Sequence, residues 1–355
     1  MKLLKLESLY KFDPMLIDYY KLLSEEIPEF ILEYANTKEM LKQQYISVSC
    51  GTYYSKLYDI EWFSSLEHSI WVALIIRNFT KNKKQTLSWL FHDIATPVFK
   101  HSIDYMNWDY HTQESTEELT TRTIKNSKEI IELLNRDWIQ LDEVNDYHIY
   151  PIADNNAPKL SADRLEYSLS NALFTYKTKS FSDIKKIYND IEIQKNENNE
   201  NELWFIHKEI AEIFEKMMWE LSIIYMLDKT RFSMQFLADI LKIMNEKNEI
   251  KIEDLYSLKE EEIINKIRNS KIWNIKECFE IWEKAEEIKI SDKEPINKYF
   301  VHHWTKIRYI DPLTKYNNWY KRISYLSDTS KSIISKCLNF NMNNYMYLDF
   351  NINSL

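Results

Sequence analysis

Gly51 is the only glycine among the 355 residues. Tight hairpins and sharp strand corners draw on glycine for positive-φ positions, so one glycine supplies few of them. Prolines number seven, too few for an irregular, loop-dominated chain. The hydrophobic share of 45% is far from that of a disordered chain. Helices are then the means of burying this apolar surface, and the expected fold class is all-α. Single cores stop growing at about 250 to 300 residues, so a large helical domain with an added lobe, or two domains, is expected.

Apolar spacing divides the chain further. Leu16, Tyr19, Tyr20 and Leu23 form one helical stripe within an N-terminal helical cap, residues 1–44. YISVSCGTYYSKLYD at 45–59 breaks that period with β-favouring residues and predicts a short β-hairpin or structured loop. From Glu61 to Phe79 apolar residues cover more than one face, as in a buried central helix. The next helix is expected over 85–94, because Pro97 cannot continue it. Ser115 and Glu118 have capping-box spacing for a helix toward Leu134, and Ser161 is a candidate cap for ADRLEYSLSNAL. The segment IEIQKNENNENEL, 191–203, reads as a polar linker or loop between a core, 45–190, and a helical C-terminal lobe, 204–355. Within that lobe 204–245 is expected as amphipathic helix, and EDLYSLKEEEIINKI as a solvated surface element.

The net charge of -9 argues against sequence-independent nucleic-acid binding, which usually shows a basic stripe. Cys50, Cys278 and Cys337 are far apart and form no CxxC pair, so neither a disulfide framework nor a thiolate zinc site is indicated, and a reducing cytoplasm is expected. No stretch of about 18 apolar residues and no apolar leader is visible, so neither a membrane span nor a signal peptide is expected.

Four ligand-type residues stand out: His68 in the buried helix, the adjacent pair His92 and Asp93, and Asp163 at a predicted helix start. Neighbouring helix positions point about 100° apart, so two adjacent ligands converge only where a helix ends. Pro97 supplies that end. Imidazole and carboxylate donors suit Mn, Fe, Zn or Ni, or Mg, and would leave coordination positions open for polarising a phosphoryl oxygen or activating water.

The pattern H…HD…D, carried by LEHSIWVAL, LFHDIATPVFKH and SADRLEY, resembles the HD-domain metal-dependent phosphohydrolases. GTYY before the first histidine and WDYHTQES at 108–115 are similar to segments of its deoxynucleoside triphosphate triphosphohydrolase branch. The resemblance covers about residues 40–175. It implies an HD helical-bundle core with His68, His92, Asp93 and Asp163 as metal ligands. It also implies His101 and His111 as active-site histidines, Asp104 orienting one of them, and Tyr167 contacting a sugar. Arg164, and Lys306 and Arg308 of HHWTKIRYIDPL, are further candidates for phosphate contact. The chain departs from that branch at Ala95 and Thr96, where Gly and His are usual, and at Ser65, where an Arg is usual.

The implied activity is hydrolysis of a nucleotide phosphate ester or anhydride, extending to a deoxynucleoside triphosphate split into nucleoside and tripolyphosphate. Two alternatives stay open: a phosphomonoesterase or phosphodiesterase of the same superfamily, and a non-catalytic nucleotide-sensing module, which Thr96 and Ser65 favour. The expected partner is a nucleotide or other phosphorylated small molecule, and relatives in that family commonly form homo-oligomers.

Overall fold

The structure, a computed structural model, describes residues 14–109, 119–317 and 319–351. The expected Ser115 cap and His111 lie outside the described residues. The chain is mainly helical, but it also forms two small sheets.

The central helix is Ser65–Thr80, and a capping box sets its start. Ser64 Oγ accepts the Glu67 amide at 3.1 Å, while the Glu67 carboxylate accepts the Ser64 amide at 2.8 Å. Ile70, Val72, Leu74 and Ile75 are wholly buried on several faces, as expected of a helix inside the core. Around it pack Pro14–Leu23, Lys83–Leu90 and Ala162–Ser170. Trp71 is the hub, with Tyr19, Tyr20, Phe63 and Phe174 rings at 5.1 to 5.9 Å.

A second core gathers Phe232, Phe236, Leu241, Ile263, Ile267, Phe279 and Trp282 from the helices Asp228–Glu246, Glu260–Arg268 and Trp273–Lys284. The acidic stretch expected on the surface instead spans the short helix Ile252–Ser257 and the core helix Glu260–Arg268, whose Ile263, Ile264 and Ile267 face inward. Val98, Phe99 and Ile103, directly beyond the HD pair, also belong to this second core. The two cores therefore meet at the loop that follows His92 and Asp93.

The strands are β1 Ile191–Lys195, β2 Asn201–Phe205, β3 Lys289–Ser291, β4 Lys298–Val301, β5 Leu313–Tyr316, β6 Trp319–Arg322 and β7 Tyr345–Asn351. One sheet runs β1-β2-β5-β6, with β2 and β5 parallel and the other pairs antiparallel. The other runs β3-β7-β4, all antiparallel. These strands correct the all-α expectation and the helical reading of the C-terminal lobe. The expected linker at 191–203 is the β1–β2 hairpin, in register from Ile191↔Phe205 to Lys195↔Asn201. Asparagine replaces glycine in its turn: Asn199 has φ 60°, and Asn196 Oδ1 accepts the amides of Asn198 and Glu200. Asn317 after β5 and Asn297 before β4 have positive φ as well.

The segment 45–59 is no hairpin. It forms short 3-10 turns and a single bridge, Ser47↔Ser64. Gly51 sits there at φ 83°, where a Cβ would stand 2.7 Å from the Phe99 ring and 2.8 Å from Leu237. The expected helix over 204–245 is two helices, Lys208–Met226 and Asp228–Glu246, parted at the extended Leu227.

Candidate metal centre

His68 lies in the first turn of Ser65–Thr80, and its position and tautomer are set by partners. Nδ1 is 2.5 Å from Glu166 Oε2, and Nε2 is 3.2 Å from Asp163 Oδ1. Burial opposes a charge on this ring, but Glu166 and Asp163 outweigh it and push its pKa up to about 10. The Glu166 partnership keeps a proton on the Nδ1 side, so an ion need only displace one at Nε2.

The Lys83–Leu90 helix starts at Asn82, whose side chain caps the Gln85 amide, and gives way to turns from Phe91. The helix stops at Leu90, short of the expected 94, so His92 and Asp93 lie just beyond its end rather than in its last turn. His92 Nδ1 is 2.7 Å from the Trp89 carbonyl oxygen. A carbonyl only accepts, so Nδ1 carries the hydrogen and Nε2 presents a lone pair. Burial holds this imidazole below its ordinary pKa, which favours the neutral, ligating form.

Asp163 stands in the first turn of Ala162–Ser170, and Ser161 caps that helix by accepting the Arg164 amide at 3.2 Å. Burial acts against its charge, yet His68 and His92 hold the carboxyl down to about 2. Ligand atoms of His68, His92 and Asp163 all lie within 4.8 Å of one another. With bonds of about 2.1 Å, one ion bridges such a set after small side-chain adjustments. The donors fit a divalent transition metal: two imidazoles with fixed outer hydrogen bonds and one ionised carboxylate.

Asp93 is beside this set but engaged elsewhere. Its Oδ2 is 3.5 Å from His92 Nε2, accepts from Ser65 Oγ at 2.9 Å and receives the Lys100 ammonium. Its Oδ1 accepts from Thr96 Oγ1 at 2.9 Å. Ser65 and Thr96, the departures noted in the sequence, are thus the hydroxyl partners of the HD aspartate.

His101 begins the helix His101–Met106, with Nδ1 2.9 Å from Oδ2 of the wholly buried Asp104. Its Nε2 is 3.4 Å from Arg308 Nη2. Burial, joined by the Arg308 charge, lowers its pKa. The Arg308 guanidinium also lies 6.0 Å from the centre of the Tyr167 ring, one turn beyond Asp163. The extended stretch between β4 and β5 therefore brings Arg308 from the C-terminal lobe to His101 and Tyr167 together. Lys306 lies half-buried in the same stretch. Arg164 turns to the loop before its helix, bonding Asn155 Oδ1 at 2.7 Å and the Lys159 carbonyl at 3.2 Å, with Asp154 at 3.4 Å.

Glu166 and Lys100 were not singled out from the sequence. Glu166 follows Asp163 by three positions, the spacing that puts two side chains on one helix face. Lys100 stands beside His101 in a segment too irregular for periodicity to place it.

No protein-family model matches the chain. An uncharacterized protein of Bacillus subtilis, YdhJ, is 23% identical over 251 residues, covering 69% of this chain and 72% of that protein. A crystal structure of a hypothetical protein from Aquifex aeolicus superposes with a TM-score of 0.61 at 15% identity, covering 91% of this chain and 93% of the other. A phosphohydrolase from Bacteroides thetaiotaomicron superposes with a TM-score of 0.59 at 12% identity, covering 92% and 97%. The chain therefore shares its fold, across nearly its whole length, with both solved proteins.

Proposed function

We propose that the protein is a metal-dependent phosphohydrolase acting on a nucleotide or another phosphorylated small molecule. The observation that carries this reading is the convergence of His68, His92 and Asp163, with Glu166 and the Trp89 carbonyl holding the outer imidazole nitrogens. A structural neighbour described as a phosphohydrolase supports it. Mn, Fe, Zn, Ni or Mg bound there would polarise the phosphorus centre and lower the pKa of water.

The chain's other groups have roles that suit the same reaction. His101, oriented by Asp104 through Nδ1, is neutral at rest because its pKa is lowered; to act as the acid it first takes up a proton at Nε2, which the negative charge of a bound substrate favours, and then passes it to the leaving oxygen. Arg308 supplies a guanidinium to phosphoryl oxygens, joined by Lys306, and Tyr167 offers a ring face beside the centre for the organic part of the substrate. His111 is a further acid in the resemblance to the triphosphohydrolases, where the finer reading is release of tripolyphosphate. Arg164 bonds the neighbouring loop.

One observation favours a second reading, a nucleotide-sensing module: the HD aspartate is already satisfied by a lysine and two hydroxyls. Incubating Mn-loaded protein with triphosphates, monophosphates and cyclic nucleotides, with Asp163→Asn as control, separates the two. Product formation that Asp163→Asn abolishes supports hydrolysis, and the product names the bond cut. Nucleotide binding without product selects the sensing module.

A further inference from the structure

Two segments beside the candidate centre meet one buried carboxyl of the other core. The first is 46–48. Ser47 bridges Ser64, the cap of the helix that carries His68. The Ser65 amide donates to the Ile46 carbonyl at 2.8 Å, and the Val48 amide to the Phe63 carbonyl at 3.0 Å. This short ladder fixes where the His68 helix begins. The second segment is the turn that follows His92 and Asp93 and brings Lys100 and His101 to the centre. Phe99 has φ 67°, and Lys100 has φ 41° with ψ -117°, a backbone that L-residues rarely adopt. Such conformations persist only where surrounding contacts over-determine them. Here the Val98 amide donates to the Leu255 carbonyl at 2.9 Å, and the Phe99 ring is wholly buried. The second core thus clamps this turn from behind Lys100.

Glu260 joins the two segments. It is wholly buried at the start of the Glu260–Arg268 helix, its Oε2 accepts the Ser47 amide at 2.9 Å, and its carboxyl faces the Phe99 amide. Its Oε1 has no hydrogen-bond partner among the described residues. Burying a carboxyl with one oxygen unanswered opposes folding. Isoleucine, which the same helix buries at Ile263, Ile264 and Ile267, would fill the seam at lower cost. It would also leave the Ser47 and Phe99 amides without this acceptor, and that difference is what the acid contributes.

We propose that Glu260 is a positioning residue of the metal centre: a single carboxyl of the second core holds the start of the His68 helix and the Lys100–His101 turn at a fixed spacing, and so sets how far His101 stands from the ion. This rests on the metal reading given above. Glu260 touches neither ion nor substrate, and it acts through the Ser47 and Phe99 amides alone.

The test compares Glu260→Gln, which keeps a carbonyl acceptor, with Glu260→Leu, which fills the seam without one. Wild type and both variants are measured by hydrogen exchange over 45–50 and 98–102 in the absence of metal. Each is then titrated by calorimetry with Mn and with inorganic phosphate, and a melting curve is recorded. In Glu260→Leu exchange is expected to rise in both segments together, while one Mn per chain is kept and phosphate affinity falls about tenfold, the equivalent of one hydrogen bond. Glu260→Gln stays near wild type in all three. A Glu260→Leu protein that melts earlier but binds phosphate as tightly as wild type overturns the proposal, since its role is then stability alone. Exchange that rises in one segment only overturns it too, as does a Glu260→Gln protein that loses as much phosphate affinity as Glu260→Leu. If Glu260→Leu does not fold, Glu260→Asp, one methylene short of both amides, gives the same readings. Wild type that takes up no Mn refutes the metal reading, while the exchange measurement still decides whether Glu260 ties the two segments. Wild type that binds Mn and phosphate yet hydrolyses nothing defeats the hydrolase reading and leaves Glu260 in place.

Discussion

Glu166 does its work through His68, so its removal should be felt in metal affinity before anything else. Glu166→Gln replaces the acceptor of the Nδ1 hydrogen with an amide that can turn either way, and such outer partners usually contribute about 10- to 100-fold in affinity. Mn affinity measured by chelator competition should fall by that factor with helix content unchanged. An unaltered affinity would show that His68 needs no orienting partner. The three converging donors, His68, His92 and Asp163, were legible because metal chemistry demands particular side chains near helix ends. Glu166 and Lys100 were not, since each acts through a contact that exists only once separate segments are packed. Gly51 is a different lesson. Its rarity pointed to helices, but its own position is decided by a positive φ and by the Phe99 and Leu237 side chains under 3 Å from any added Cβ. Gly51→Ala should cost about 1–3 kcal/mol in urea unfolding, through backbone strain plus displacement of the Phe99 ring beside Lys100.

Among the elements, the helix that carries Asp163 was readable because its start is written in local chemistry, with Ser161 as a cap, whereas the helix before His92 stops at Leu90, short of the end that Pro97 predicts. The strands were not readable, because asparagines took the turn positions that glycine usually marks. The β1–β2 hairpin also holds a charge that no periodicity shows. Glu202 is wholly buried and is met by Arg322 of β6 in two contacts, at 2.5 and 2.8 Å. Arg322 reaches Glu197 in the β1–β2 turn as well, so that turn, β2 and β6 are joined by one guanidinium. Arg322→Met leaves Glu202 buried with only the Leu160 amide and the Asn196 side chain as donors. Breaking a buried pair in this way costs about 3–5 kcal/mol. Chemical denaturation should show a loss of that order, while the double variant Arg322→Met with Glu202→Leu should recover much of it. A loss below 1 kcal/mol in the single variant would mean that the hairpin does not depend on this charge pair.

At the scale of the molecule, two cores meet behind the HD motif, and a buried acid stands at their junction. Glu260 opens the Glu260–Arg268 helix of the second core, and its Oε2 accepts the Ser47 amide at 2.9 Å across the seam. Burial pushes its pKa up to about 8, although the Ser47 and Phe99 amides and the Lys100 charge pull the other way. The sequence placed this glutamate on a solvated face, since a run of acids reads as surface until the helix's inward isoleucines are matched to a partner core. The folded state then holds a proton on Glu260 that the unfolded chain releases near 4.5. Between those values the folded protein binds more protons, so this contribution to stability is complete below about pH 4.5 and declines as pH rises toward 8, by a few kcal/mol in all. Glu260→Gln cannot ionise and keeps an acceptor for the Ser47 amide. Its urea-unfolding free energy should therefore fall less between pH 5 and pH 8.5 than that of wild type. The variant's advantage should be largest at the alkaline end, where wild type must carry an ionised carboxylate inside the seam. Parallel pH profiles for the two proteins would show that Glu260 is ionised throughout, held by the two amides and Lys100, and that the clamp behind Lys100 is electrostatic rather than a neutral hydrogen bond.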